Sequence, residues 1–256
     1  MTDNIQPTYE QQKAYYDTKW LNWIKQKKGG DGICVKEFIV ASVKNLKSES
    51  GSRPRIIDLG CGRGQITDLL SRYGDVVGID LSTSVAEKLH PDLKFIQANI
   101  VTDELEGKYD IAVSSEVIEH LTFENQPIYV KKAYDLLNEA GYLILTTPNK
   151  PNIETLVKEL SISREKLQPI ENWLDRESLE RLLAPYFRII YIGSTLFEPI
   201  LIRKCRFLHY TYVFVYIYLR LYKFINRLFK ASQRGLYLTV FARKQMLGTQ
   251  LPIAEK

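Results

Sequence analysis

Two short runs carry the side chains with chemistry to offer. In Arg55-Ile56-Ile57-Asp58-Leu59-Gly60-Cys61-Gly62-Arg63-Gly64-Gln65-Ile66 one acid sits in an apolar stretch, and three glycines follow at alternate positions. In Glu116-Val117-Ile118-Glu119-His120-Leu121 two carboxylates and an imidazole stand close together. Glycines let a backbone turn sharply and pass close to a ligand, and a helix starting just beyond them offers unpaired N–H groups. A carboxylate or imidazole beside a bound hydroxyl can take its proton. Between the two runs, Asp75-Val76-Val77-Gly78-Ile79-Asp80-Leu81-Ser82 is apolar and ends in an acid, 22 residues after Asp58. An acid at the carboxyl end of the next strand can accept both hydroxyls of a ribose.

The elements that must position these residues follow from apolar periodicity. Strands are expected at Ile56–Leu59, Asp75–Asp80, Lys94–Gln97 (running into Ala98-Asn99-Ile100), Tyr109–Ser115, Gly141–Asn149, Phe187–Ser194 and Gly235–Arg243. Helices are expected between them: Gln65–Tyr73, one capped by Ser82 and Thr83 through Leu89, Gln126–Leu137 and Ile153–Leu160. Asp175, with Ser178 three residues on, should cap a further helix through Leu183. Alternating strand and helix define an α/β fold: a Rossmann-like, seven-stranded, mostly parallel sheet with helices on both faces and ligands at the strands' carboxyl ends. Residues 7–28 and Ile33–Leu46 read as helices in front of it. Their aromatics either pack onto the sheet or, at Tyr15, Tyr16 and Trp20, close over a ligand cleft. The expected organisation is an N-terminal helical cap (1–50), a core (51–196), a basic aromatic helical insertion (197–234), and the final strand with its tail (235–256).

Composition is that of a globular protein, 45% hydrophobic and 25% charged over 256 residues, with no repeat. Cys34, Cys61 and Cys205 lack metal or disulfide spacing, and Thr2-Asp3-Asn4 stands where a leader would be basic and apolar. Both features lead to the expectation of a cytoplasmic protein. The net charge of +5 is unevenly spread. Residues 1–198 hold 24 Lys and Arg against 29 Asp and Glu, whereas Pro199–Ala254 has ten basic residues and no acid.

The insertion is aromatic as well as basic: nine of the 23 residues from Phe207 to Phe229 are Phe or Tyr. Its uncharged run, Phe207–Leu219, is too short to span a bilayer. From Arg220 to Lys230, Leu221, Phe224, Ile225 and Leu228 share one helical face, and Arg220, Lys223, Arg227 and Lys230 the other. Three readings stand: a helix lying on an anionic membrane surface through 203–234, or serving a lipid-like substrate; a lid or dimer face; and a single-strand nucleic-acid contact, the least favoured.

The ordered motifs Asp58-Leu59-Gly60-Cys61-Gly62-Arg63-Gly64, Gly78-Ile79-Asp80, Tyr109-Asp110, Glu116-Val117-Ile118-Glu119-His120-Leu121 and Gly141-Tyr142-Leu143 with Thr147-Pro148-Asn149 resemble those of class I methyltransferases dependent on S-adenosylmethionine. The resemblance covers about residues 55–150. It implies that Gly60, Gly62 and Gly64 make room for the methionine and ribose of S-adenosyl-L-methionine, with Cys61 in the same loop. Asp58 would stand near the cofactor's amino group or brace the loop, and Asp80 would hold the ribose hydroxyls. Leu81 would lie against adenine, with Asn99 and Ile100 beside it. Ser115 would face the methionine end. Asn99 departs from the acid many relatives carry, although an amide can still accept the adenine hydrogen bond.

Methyl transfer from a sulfonium needs alignment, exclusion of water and, for a hydroxyl acceptor, a base. His120 is the base candidate; its alternative is to cap or pack the loop. Tyr16, Glu116, Trp173 and the Gln168–Asn172 loop are candidate substrate contacts, with Trp173 equally a core plug. The Glu-x-x-Glu-His run is also similar to metal ligands of small-RNA 2′-O-methyltransferases. That set needs a later histidine, and none follows until His209, so no metal is expected. The run equally resembles ubiquinone-pathway O-methyltransferases. The expected function is methyl transfer from S-adenosylmethionine to oxygen or nitrogen of a small or lipid-like acceptor. RNA 2′-O-methylation and a non-catalytic membrane- or partner-binding role are the alternatives.

Overall fold

A computed structural model describes residues 7–26, 33–48, 51–195 and 235–246. The membrane-surface, lid or dimer helix expected within 197–234 lies outside them.

Seven strands, β1 (Arg55–Leu59), β2 (Asp75–Asp80), β3 (Lys94–Gln97), β4 (Tyr109–Ser115), β5 (Leu137–Pro148), β6 (Phe187–Thr195) and β7 (Tyr237–Lys244), form one sheet in the order β3-β2-β1-β4-β5-β7-β6. β1 to β5 pair in parallel, and β7 runs antiparallel between β5 and β6. β5 begins before the apolar run at Gly141 because Leu137 pairs with Tyr109 ahead of a register shift. The helices are α1 (Tyr9–Gln26), α2 (Ile33–Val43), α3 (Gln65–Ser71), α4 (Ser84–Leu89), α5 (Asn125–Leu136), α6 (Lys150–Glu159) and α7 (Arg176–Leu183).

Both faces of the sheet are covered, which is why its central strands read as nearly continuous apolar runs. Successive residues serve opposite cores. Ile57, Leu59 and Ala112 pack with Tyr129, Val130 and Ala133 of α5 and Leu179 and Leu183 of α7. Ile56 and Ile111 pack with Val35, Ile39 and Val43 of α2 and Leu70 of α3.

Capping divides the expectations. Asp175 accepts from the Ser178 amide at 2.8 Å and starts α7. Ser82 and Thr83 do not cap α4 through their side chains. Thr83 has an αR backbone (φ −101°, ψ −11°) rather than the extended geometry that aims a cap at the first turn. Its hydroxyl donates to Glu87, and that of Ser82 donates to Asp17 of α1.

Candidate active site

The carboxyl ends of β1, β2 and β4 open on a cavity of about 700 Å³, roofed by α1. Two glycines shape its floor. Gly60 (φ 79°) and Gly62 (φ 53°) adopt left-handed backbone that side chains rarely tolerate. A Cβ on Gly60 would lie 2.4 Å from Cγ2 of Val117. The loop is stitched to β2, since the amides of Gly60 and Cys61 both donate to the Ile79 carbonyl (2.7 and 2.9 Å).

Two acids brace the loop. Asp58, 1% exposed, accepts from the Thr67 hydroxyl at 2.6 Å, and burial pushes its carboxyl up to about 7. Asp80 accepts from the amides of Gly62 (2.9 Å) and Ser82 (3.0 Å), and burial holds it at about 6. Each carboxylate oxygen keeps further accepting capacity. Asn99 Oδ1 accepts from the Val101 amide at 3.0 Å, which uses one of its lone pairs.

The other end of the cavity carries polar groups from β4 onward. Ser115 accepts from the Thr146 hydroxyl at 3.3 Å. Glu116 has φ 57°, an unusual backbone for a non-glycine residue, and its amide is pinned to the Thr146 carbonyl at 3.0 Å. Its Oε1 is buried with no partner within the protein, and burial raises its carboxyl well above the usual range. Glu119 is raised likewise by burial and by Glu116, and accepts from the Thr147 hydroxyl.

Both ring nitrogens of His120 are engaged: Nδ1 lies 3.0 Å from the Ile170 carbonyl and Nε2 2.6 Å from Gln168 Nε2. Burial lowers its pKa to about 4. The geometry runs against the expected base, because neither lone pair nor proton is left for a reactant.

From α1, Tyr16 stacks on Trp20 with ring centroids 6.2 Å apart. Lys19 Nζ sits 4.7 Å from the Trp20 ring centroid, and burial lowers its ammonium to about 8. The indole nitrogen of Trp20 is buried without a partner in the protein.

Of the residues singled out in the sequence, Asp58, Gly60, Cys61, Gly62, Asp80, Leu81, Asn99, Ile100, Ser115, Tyr16, Glu116 and His120 line this cavity. Gly64 and Trp173 do not. Gly64 (φ 77°) starts α3 under Phe95 and His90. Trp173 donates its Nε1 to Glu171 at 2.7 Å, bracing the loop behind the wall. Lys19, Arg63 and Tyr237 also line the cavity and were not among the expected site residues, as does Gln168, from the loop expected beside the substrate. A lone lysine on the aromatic face of α1 was the available signal for Lys19. Gln168 was marked only through its loop, because its own place depends on how residues 167–174 fold back on Glu119. Among the described residues, no group of three or more His, Cys, Asp or Glu is arranged to hold a metal ion.

A fold of this strand order with a glycine loop and acid at its switch point defines a nucleotide-type α/β protein. A family model described as a methyltransferase domain matches residues 35–186. The chain belongs to that family, the class I S-adenosylmethionine-dependent methyltransferases. Ubiquinone biosynthesis O-methyltransferase of Pelagibacter ubique is 29% identical over 130 residues, covering 45% of this chain and 51% of the relative. The mitochondrial enzyme of that name from Rattus norvegicus is 31% identical over 153 residues, covering 51% and 43%. The chain thus spans about half the length of these relatives. Among solved structures, an S-adenosylmethionine-dependent methyltransferase of Clostridium acetobutylicum superposes with TM-score 0.60 at 13% identity, over 91% of this chain and 100% of that one. The 1,6-didemethyltoxoflavin-N1-methyltransferase of Burkholderia thailandensis, with S-adenosylhomocysteine bound, gives 0.58 at 14%, over 91% and 87%. These structural likenesses carry the fold.

Proposed function

We propose that this protein transfers a methyl group from S-adenosylmethionine to an oxygen of a small acceptor, and that Glu116 receives the acceptor's proton. The observation that carries the reading is the single cavity that joins the braced loop of Asp58 and Asp80 to the buried carboxyl of Glu116. The residues present fit the cofactor. Left-handed Gly60 and Gly62 keep the floor free of side chains, Asp80 has lone pairs for ribose hydroxyls, and Asp58 stands in reach of an amino group. Leu81, Asn99 and Ile100 form the wall for adenine, and Cys61 and Ser115 complete the cradle. When bound, the cofactor supplies an activated sulfonium methyl.

The chain's own residues then bind, dry and deprotonate. Tyr16 and Trp20 roof the cavity and exclude water, which strengthens every charge interaction beneath them. Glu116 is poised as a base because burial raises its pKa toward the working range and leaves Oε1 without a partner. The names of the curated relatives favour oxygen over nitrogen. A lipid-like acceptor, with the protein peripheral on a membrane, is the finer form of the proposal and rests on the basic aromatic sequence of 203–234. Among the described residues no helix is long and apolar enough to cross a membrane.

The test is calorimetry with S-adenosylhomocysteine, followed by tritium transfer from methyl-labelled S-adenosylmethionine to a panel of phenols, quinols and amines. Binding lost in Asp80→Ala and label on a phenolic oxygen are expected. Unchanged affinity in Asp80→Ala would sink the site. For the membrane form, co-sedimentation should require anionic vesicles and Arg220, Lys223 and Arg227.

A further inference from the structure

The amide of Gln168 is oriented by two hydrogen bonds in series. The carbonyl of Ile170 can only accept, so His120 Nδ1, 3.0 Å away, carries the ring hydrogen. With its pKa pushed down to about 4 the ring is neutral, and Nε2 is a bare lone pair. The Gln168 atom 2.6 Å from it must therefore donate, which fixes that atom as the NH2 group. Gln168 lines the cavity, and its remaining polar atom, Oε1, is buried with no partner within the protein.

The surrounding loop is tied down by its own hydrogen bonds. Glu171 accepts from the Gln168 backbone N–H (3.2 Å) and from Trp173 Nε1 (2.7 Å). Asn172 donates its amide to the Glu119 carbonyl (2.7 Å) and its side chain to the Leu121 carbonyl (2.9 Å). The charged groups facing the ring are Glu119 Oε1, 3.8 Å from Nε2, Glu171 Oε2, 3.9 Å from Nδ1, and Lys19.

We infer that His120 is a positioning residue, and that through it Gln168 presents Oε1 as the hydrogen-bond acceptor for a second O–H or N–H of the methyl acceptor, distinct from the one whose proton Glu116 receives. This rests on the methyl-transfer reading and adds a demand on the substrate: it must bring a second hydrogen to that point. A substrate without it would leave Oε1 buried and unpaired, at about a tenfold loss of affinity.

Three measurements on the S-adenosylhomocysteine-bound chain test it. Long-range ¹H–¹⁵N spectra of histidine-labelled protein should show the Nδ1–H tautomer of His120 with bare Nε2 from pH 7 to pH 5. An Nε2–H tautomer, or a protonated ring at pH 7, overturns the inference. At least one of catechol, resorcinol and hydroquinone, which bring a second hydrogen, should move the Gln168 side-chain amide resonance at about one-tenth the concentration that phenol requires. No such preference for any of the three also overturns it. In Gln168→Leu that preference, read by calorimetry, should vanish. His120→Leu should weaken it similarly, and the double variant should show no further loss. Additive losses would reduce His120 to ordinary packing and overturn its positioning role. Loss of S-adenosylhomocysteine binding by the unaltered chain would instead strike the methyl-transfer reading itself.

Discussion

Ser82 donates its hydroxyl to the carboxylate of Asp17, which joins α1 to the loop immediately after Asp80. Asp17 is also paired with Lys13 at 2.9 Å, and these two bonds lower its pKa despite some burial. The roof of the cavity is thus fastened beside the acid that holds its floor.

Asp17→Ala should loosen that roof. Loss of one hydrogen bond to a charged partner is worth about 1.5–3 kcal/mol when buried and less at this partly exposed site. The expected outcome is a several-fold weaker affinity for S-adenosylhomocysteine by calorimetry, with unfolding by urea changed by under about 1 kcal/mol. An effect on global stability alone would show that the bond has no part in binding.

Gly60→Ala should be severely destabilising. It meets both a left-handed backbone and Val117 at 2.4 Å. Strain and overpacking each cost about 1–3 kcal/mol. Adding Val117→Ala should recover the packing share and leave the backbone share. Full recovery of the thermal midpoint in the double variant would assign the whole cost to packing.

Asp58 gives a pH dependence of known sign. Its native pKa of about 7 lies above the usual value near 3.9, so its stabilising share is whole below the lower figure and is lost as pH rises through the upper one. Between pH 5 and pH 8 this removes about 2–3 kcal/mol. His120, lowered to about 4, acts oppositely and adds stability as pH rises toward 6.5. Comparing Asp58→Asn with the unaltered chain cancels the histidine. The variant should lose less stability between pH 5 and pH 8, as read from urea midpoints, and equal slopes would disprove the burial of a raised carboxyl.

Glu116→Gln keeps shape and removes the base. Methyl transfer should fall by about 10²–10⁴-fold, while S-adenosylhomocysteine affinity stays within about twofold. A loss of turnover below tenfold would mean that the proton leaves by another route.

Most of the frame was legible in the sequence because local signals carried it. Strand alternation, the glycine spacing and the Asp175–Ser178 cap are written within a few residues of where they act, and β3 and β4 stand where periodicity puts them. What stayed hidden depends on distant partners. Ser82 looked like a helix cap, but Asp17 of α1 offered its hydroxyl a charged acceptor instead. His120 looked reactive, but Ile170 and Gln168, some fifty residues on, occupy both its nitrogens. Lys19 joined the cavity only because α1 folds over it.

The place of β7 bears on how the sheet can be assembled. Among the described residues β6 pairs only with β7, and β7 is also the strand that pairs with β5. A ribosome emits Phe187–Thr195 well before Tyr237–Lys244, so among the described strands the earlier one waits for the later. β5 meanwhile presents an open edge, of the kind that recruits stray strands. Completing the sheet therefore requires β7 to enter between β5 and β6, a non-local pairing of the kind that slows folding. A chaperone that shields the β5 edge during that interval would raise the yield of active protein without changing its final stability.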